Sequence, residues 1–306
     1  VEAYLNKTKD LLIDYPIAGV GYDSQYRNMG ETQHKGIEVA LNWAAVKSKD
    51  FDLNVSANIS FNRNRVNSLG LLNAINWPSR WASTEIGSDY WVQPGAAVGQ
   101  MYGYKSAGRY EVSDFTGYDA AKGIWTLKEG VATANDVIGT IRPGSMKLED
   151  LNGDGKINEN DKTIIGNANP KHTGGFSINT RYKNFDLTAL FNWSFGNDIY
   201  NANKIEYTQT SKYHSRNMIS IMEEGQRWTN LLPDGTISND PAQLAAMNAN
   251  TTLWSPLTKQ FIFSDWAVED GSFLRLGTLT LGYTFSNELL QKVKVKNLRI
   301  YGTGYN

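Results

Sequence analysis

The chain has 306 residues, 30 Lys plus Arg against 31 Asp plus Glu, and a formal charge of −1. That balance gives no electrostatic reason to expect nucleic acid as a partner. Cysteine is absent, which excludes a disulfide framework, a thiol nucleophile and a thiolate metal site.

No run of about 18 apolar residues occurs, so no helix is expected to span a bilayer. A membrane-spanning strand is a different matter, because it needs only about 9–11 residues with every second one apolar. The chain opens at Val1 without a leader-like segment and stops at Asn306 within what reads as a strand exit, so it is expected to be part of a longer protein.

The first strand is predicted over 1–10. In Gly36–Val46, Ile37, Val39, Leu41 and Trp43 share one face, and Glu38, Ala40 and Asn42 the other. A polar turn at Lys47–Asp50 follows. From there Phe51, Leu53, Val55, Ala57, Ile59 and Phe61 alternate with Asp52, Asn54, Ser56, Asn58, Ser60 and Asn62. A side-chain period of two places the two sets on opposite surfaces of a strand.

A second hairpin repeats the design. Phe176, Ile178, Thr180 and Tyr182 alternate with Ser177, Asn179 and Arg181, and Lys183-Asn184 turns the chain. Phe185, Leu187, Ala189, Phe191 and Trp193 then alternate with Asp186, Thr188, Asn192 and Ser194, Leu190 being the exception. A third pair comprises Leu279, Leu281, Tyr283 and Phe285, with a return strand around Leu298–Gly304.

A sandwich also alternates apolar-in and polar-out. Against it stand the strand lengths, well above the usual of about 5–6 residues, and polar faces rich in Asn and Ser rather than Lys and Glu. Short turns at 47–50 and 183–184 contrast with long irregular stretches at 11–35, 65–173 and 197–271. Outer-membrane barrels have short periplasmic turns and long extracellular loops. On that basis strands 1–10, 51–64, 185–196 and 297–304 run outward, and 36–46, 174–182 and 272–285 run inward. The parity requires no net crossing within 65–173, and one further inward strand would finish the barrel. The fold class is therefore all-β, a partial antiparallel transmembrane barrel. Within the loops, Asp240-Pro241 opens a short helix through Met247, and Met218, Ile221 and Met222 suggest another turn.

The sharpest local motif is Asp150–Asp161, which fits a twelve-position calcium loop. Asp150, Asn152, Asp154, Asn158 and Asp161 fall at positions 1, 3, 5, 9 and 12, Gly155 at the sharp turn of position 6, and the Lys156 carbonyl at position 7. This spacing curls oxygens around one point, as a hard cation requires, and Ca²⁺ in a structural role is expected. Asp161 stands where an EF-hand has a bidentate Glu, and Pro143–Glu149 does not read as a helix, so the loop is EF-hand-like only. The alternative is a turn-rich surface loop with no ion.

Of nine tryptophans, Trp43 and Trp193 lie on apolar strand faces, where they suit a bilayer interface. The others fall in the loops. Trp77, Trp81, Trp91, Trp228 and Trp254 are candidate platforms for a sugar ring or a peptide side chain; the plainer reading has loop tryptophans packing the loops together. Enzymatic motifs are absent: His34, His172 and His214 form no H-E-x-x-H, and neither a G-x-S-x-G elbow nor a phosphate loop occurs.

The chain resembles the C-terminal barrel region of SusC/RagA-type TonB-dependent transporters from about Tyr4 to Asn306. The resemblance is carried by Tyr4–Leu12, Asn28-Met29-Gly30, Lys35–Glu38, Tyr102-Gly103-Tyr104 and Gly108-Arg109-Tyr110. It continues through the calcium-like loop to Ile165-Gly166, Gly175-Phe176, Tyr182–Leu187, Gly196-Asn197-Asp198, Trp266–Leu276 and Leu279–Tyr283.

It implies a barrel of about 22 strands with a plug domain, a size associated with plugged transporters. It also implies import of glycans or peptides, a SusD-like surface lipoprotein as partner, and energy from a TonB complex acting on the plug. The plug, the first half of the barrel and the last strand would lie outside this sequence. Oligosaccharide is the leading cargo and oligopeptide the alternative. A secreted, calcium-dependent carbohydrate-binding or adhesive β-protein is the reading from another class.

Overall fold

The computed structural model describes residues 1–17, 19, 21–81, 86–210, 215–257, 261–292 and 294–306, and His214 lies outside the described residues. Its frame is one seven-stranded antiparallel sheet in which each strand pairs with the next. The strands are β1 (Glu2–Pro16), β2 (Ser24–Lys47), β3 (Phe51–Ser68), β4 (His172–Tyr182), β5 (Phe185–Phe195), β6 (Phe273–Thr284) and β7 (Arg299–Tyr305). Among the described residues, β1 and β7 each keep one unpaired edge in this sheet.

Register follows the alternation. Residues directly opposite in an antiparallel pair face the same side. Trp43 pairs with Val55, Val55 with Ile178, Ile178 with Ala189, and Ala189 with Leu279. One row of apolar side chains thus crosses five strands on a single face. That face is open: Trp43 is 58% exposed and Leu281 54% exposed, and Ile37, Leu41, Phe185 and Leu274 are exposed as well. Val66 and Ala189 are the buried apolar side chains of the sheet among the described residues. Among the described residues no second layer covers the Phe, Leu, Ile and Val rows, which argues against the sandwich.

The apolar band is shorter than the strands that carry it. In β2 it occupies roughly Ile37–Val46, whereas Ser24–His34 is mostly polar. At about 3.3 Å per residue, 24 residues of β2 reach about 80 Å, against a hydrocarbon core about 30 Å thick.

The expected irregular stretch 11–35 is corrected here: most of it is strand. Asp10 adopts a left-handed backbone with φ 58°, and register shifts fall between Thr8 and Leu12. This bulge resets the phase, so that Leu11, Ile13 and Tyr15 turn to the more sheltered side while Leu12 and Asp14 turn outward. The strand pairing continues through Pro16↔Ser24, leaving only 17–23 as the connection. The first long excursion is trimmed likewise, from 65–173 to 69–171, and the second runs over 196–272, one residue beyond the expected 197–271 at each end. They share one end of the sheet with 17–23, while 48–50, 183–184 and 285–298 sit at the other.

The excursions are not irregular throughout. Ile75–Trp77, Tyr90–Val92, Gln100–Gly103 and Thr163–Asn167 form a four-stranded sheet. Pro241–Met247 is the expected helix, with the Asp240 side chain accepting the Gln243 N–H. Ser220–Met222 is a single 3-10 turn.

The hydrophobic core lies in these excursions. One cluster joins Tyr104, Tyr110, Phe115, Met146, Leu148 and Ile157 to Trp254 and Ile262; a second includes Met101, Tyr200, Ile205, Phe261 and Phe263. Both join residues of 69–171 to residues of 196–272, so the two long loops form one packed body.

If the open row contacts hydrocarbon, Leu41→Arg in the whole protein should cost about 2–4 kcal/mol, because a charge near the bilayer midplane is that unfavourable on a barrel's lipid face. Asn42→Arg, on the opposite face, should cost far less. Denaturant titration of the folded protein in lipid, followed by heat-modifiable gel mobility, measures both; equal losses would count against the assignment.

Candidate functional site

The face opposite the apolar row is built from amides and hydroxyls. Asn54 pairs with Asn179, Asn179 with Thr188, Thr188 with Thr280 and Thr280 with Thr303. Thr188 Oγ1 donates to Asn179 Oδ1 at 3.0 Å, and the Thr280 and Thr303 hydroxyls lie 3.0 Å apart. Leu190, the residue that broke the alternation, sits on this face opposite Ser177 and Thr278, where β6 bulges at Gly277.

Next to the short turns the same face carries two ion pairs. Arg181 Nε donates to Asp52 at 2.9 Å, and Arg299 Nε donates to Asp186 at 3.0 Å. Gly282 makes room for the second: a Cβ there would lie 2.5 Å from Arg299 Nη2 and 2.6 Å from the Asp186 carboxylate. These pairs neutralise their own charge. The wall offers many neutral hydrogen-bonding groups.

The calcium-like loop is closed by its own backbone. The Asp150 carboxylate accepts the N–H groups of Gly153 and Gly155, each at 2.8 Å. Asn152 Oδ1 accepts the Asp154 N–H, and Asp154 Oδ1 the Lys156 N–H. Asp161 is fully buried and accepts the N–H groups of Leu151 at 3.0 Å and Asn158 at 2.8 Å. Gly153 and Gly155 take φ of 75° and 80°, the left-handed backbone that the turn requires.

The donor set is oxygen only, which suits a hard cation. Asp150, Asn152, Asp154, Asn158, Asp161 and the Lys156 carbonyl are brought into one loop. Among the described residues, no group of three or more His, Asp or Glu side chains converges at metal-binding spacing. The loop also anchors the packing around it. Ile157 N–H donates to Thr133 at 2.8 Å, and the Ile157 side chain is fully buried in the first loop cluster.

The candidate tryptophans divide into two groups. Trp228 is 2% exposed and Trp254 4% exposed. The Arg109 guanidinium lies 4.8 Å above the Trp228 ring, whose other contacts include Gly144; Trp254 meets Trp266 edge-on at 4.6 Å. As platforms for a ligand these two are therefore corrected: their rings are spent inside the loop core.

Trp77 and Trp81 are 58% and 55% exposed. Trp81 packs against Tyr200 at 5.3 Å and Tyr90 at 6.0 Å, and Tyr90 pairs with Trp77 across two short strands. Trp91 is half-buried against Tyr102 at 4.8 Å, its Nε1 donating to Gln93. Trp77 and Trp81 therefore present exposed aromatic surface beside Tyr90, while Trp91 faces the other side of the short sheet.

Arg109 and Tyr110 play a part that spacing alone does not reveal. Arg109 pairs with Glu111 at 2.7 Å and donates to Thr251 Oγ1 at 2.6 Å and the Leu253 carbonyl at 3.1 Å. Tyr110 is fully buried, its hydroxyl donates to the Ala132 carbonyl at 2.7 Å, and burial pushes its pKa up to about 12. Arg109 ties the two excursions together, and Tyr110 fixes the first of them to itself.

No family model matches the chain. TonB-dependent receptor P3 of Formosa agariphila is 30% identical over 99% of this chain. TonB-dependent receptor SusC of Bacteroides thetaiotaomicron is 26% identical over 100% of it. The chain spans about a quarter of the length of these curated relatives, 27% and 26% respectively. Among solved structures, the RagAB peptide transporter superposes with a TM-score of 0.65 at 22% identity, over 99% of this chain and 29% of that one. The RagAB peptide importer in its closed-closed state gives 0.66 at 23% identity, again over 99% of this chain and 29% of that one. The seven-stranded sheet thus shares its fold with a segment of those two structures, and the curated relatives are named TonB-dependent receptors.

The split among the tryptophans is testable in the whole protein. Trp228→Ala removes a fully packed ring and should cost about 3–5 kcal/mol of local stability, read as new protease cleavage within 105–157 and 226–263. Trp77→Ala should leave the cleavage pattern unchanged.

Proposed function

On the premise that this chain is a SusC/RagA-like segment of a TonB-dependent receptor barrel, we propose that the whole protein actively imports nutrient oligomers, oligosaccharides in the leading case, across the outer membrane of a Gram-negative bacterium. One observation carries the reading. The sheet has an open apolar face and an amide- and hydroxyl-rich face, and at one end of it the two long loops pack into a single body. A transport wall needs this combination: hydrocarbon outside, exchangeable neutral hydrogen bonds inside. The packed excursions 69–171 and 196–272 then lie on the extracellular side.

In this reading a TonB complex acts on a plug domain outside this sequence, and a SusD-like surface lipoprotein covers the mouth. The exposed aromatic surface of Trp77 and Trp81, with the half-buried Trp91 in the same short sheet, supports oligosaccharide, since flat rings pack against the apolar faces of sugars. Oligopeptide is the second reading, favoured by the shared fold with a peptide transporter.

The Asp150–Asp161 loop is proposed to hold Ca²⁺ in a structural role. Asp150, Asn152, Asp154, Asn158, Asp161 and the Lys156 carbonyl would hold it. Bound there, the ion would offset the carboxylates gathered in the loop and steady Ile157 in the core.

Two measurements test these readings. Deleting the gene should abolish growth on the cognate oligosaccharides, and a protonophore should stop uptake by the wild type. Uptake of oligopeptides alone would shift the cargo to the second reading, and release of the native protein into buffer without detergent would favour an adhesin. Affinity purification of the intact protein should bring down a surface lipoprotein. For the loop, calorimetry of the intact protein should detect calcium binding; no binding at millimolar calcium would remove the ion from the proposal.

A further inference from the structure

A cleft of about 390 Å³ opens within the loop body and is lined entirely by loop residues. Its size falls in the range that encloses a small ligand. One wall is the hairpin Phe115–Asp119 and Ile124–Leu127, which pairs Tyr118 with Trp125 and holds their rings 5.5 Å apart. Trp125 is braced from behind by Phe115 of the loop core, edge-on at 5.6 Å. The two rings, tilted 44° to each other, therefore form a braced aromatic corner on this wall.

The second wall is the turn that carries Arg142. Its backbone is locked at both ends: the Arg142 N–H donates to Ser145 Oγ at 3.2 Å, and the Ser145 N–H donates to the Arg142 carbonyl at 3.0 Å. The third wall carries Asn230 and Asn239, held by the Ser238 N–H donating to the Asn230 carbonyl at 2.8 Å and by the bridge between Leu231 and Ile237.

Three of the polar side chains that line the cleft, those of Arg142, Asn230 and Asn239, make no hydrogen bond with a described residue. Arg142 is half-buried, yet its guanidinium makes neither an ion pair nor a hydrogen bond with any described residue. The carboxamides of Asn230 and Asn239 are equally without partners among the described residues. Among the described residues no Asp or Glu lines the cleft. Arg109, by contrast, is satisfied by a carboxylate, a hydroxyl and backbone carbonyls. A half-buried guanidinium has five donors to place, and a carboxylate matches its planar fork with two parallel bonds.

We propose that this cleft is a capture subsite for a carboxylate-bearing sugar residue. Arg142 forks onto the carboxylate, Asn230 and Asn239 give and take hydrogen bonds with ring hydroxyls, and Tyr118 with Trp125 packs the apolar face of the ring. The sugar is the occupant we commit to because both carboxamides combine donor and acceptor, as ring hydroxyls require, beside aromatic rings that pack on a sugar's apolar face; a peptide is the outcome the test must exclude. The assignment rests on the reading of the protein as an oligosaccharide importer.

The test uses the whole transporter and two probes, an oligosaccharide of uronic acid residues and its carboxyl-reduced neutral counterpart, with binding followed by calorimetry. The wild type should bind the acidic probe at least about tenfold more tightly, and added salt should narrow the gap. Arg142→Gln should bring the acidic probe down to the neutral one and leave the neutral affinity unchanged. Asn230→Asp, which places a negative charge in the cleft, should weaken the acidic probe alone; this variant keeps the test valid if Arg142→Gln fails to fold.

Equal binding of the two probes by the wild type, or no binding of the acidic one, overturns the proposal. So does Arg142-dependent binding of a peptide with a free C-terminal carboxylate but not of the uronate. Continued import of neutral oligosaccharides in those cases would leave the importer reading standing; loss of all oligosaccharide import would remove both.

Discussion

Backbone hydrogen bonding between neighbouring strands is the constraint on which the rest depends. A sheet with one face in hydrocarbon has no water on that side to satisfy an N–H or C=O, so every strand must find its partners laterally. The seven strands do so in strict chain order, with nearly complete antiparallel ladders. Once that ladder is in place, side chains need no second layer. This is why Trp43, Leu41 and Leu281 stand open while Val66 and Ala189 are the buried apolar side chains of the sheet. The same constraint bears on the outer edges of β1 and β7, which at membrane depth require further strands beside them.

The loops face the opposite problem. An excursion such as 69–171 cannot use the sheet's apolar face, so it must assemble a core from its own residues and from the other excursion. Tyr110, Ile157 and Trp254 do this from distant parts of the chain. Close contacts make it possible: a Cβ at Gly144 would lie 2.2 Å from the Trp228 ring, and Gly144 sits at φ 85° besides. Arg109 lies over that ring and reaches carbonyls of the second excursion. A rigid loop body at the end of the wall can present side chains in fixed positions, which long flexible loops cannot.

These two halves differ in how much of them the sequence discloses. Period-two alternation in Phe51–Asn62 and Phe185–Ser194 states both the strand and its face, because a one-residue slip would turn every apolar side chain the wrong way. It fails at Asp10, where a single bulge inverts the phase and makes the continuing strand read as a loop. Ion pairs such as Asp186–Arg299 depend on register between strands far apart in sequence, and no local pattern announces them. The tryptophans are the hardest case. Trp77 and Trp228 look alike in sequence, each in a polar stretch, and only the packing of one excursion on the other separates an exposed ring from a buried one. The calcium-like loop is legible in its ligand spacing, whereas its attachment to the core through Thr133 and Ile157 is not.

Charge placement links the wall to the loops. On the polar face, Asp52 with Arg181 and Asp186 with Arg299 cancel locally, and between these pairs and the loop end lie mainly Asn, Ser and Thr. Neutral groups of this kind exchange hydrogen bonds with a passing ligand at little net cost, since each bond made replaces one to water. They hold nothing tightly. A guanidinium without a described partner in a partly enclosed cleft behaves differently, because a ligand carboxylate there meets fewer competing waters and, among the described residues, no competing acid. Under the proposed function, retention and passage require different chemistry, and the two kinds of group stand apart: a guanidinium without a described partner in the loop body, self-cancelled charge and amides along the sheet's polar face.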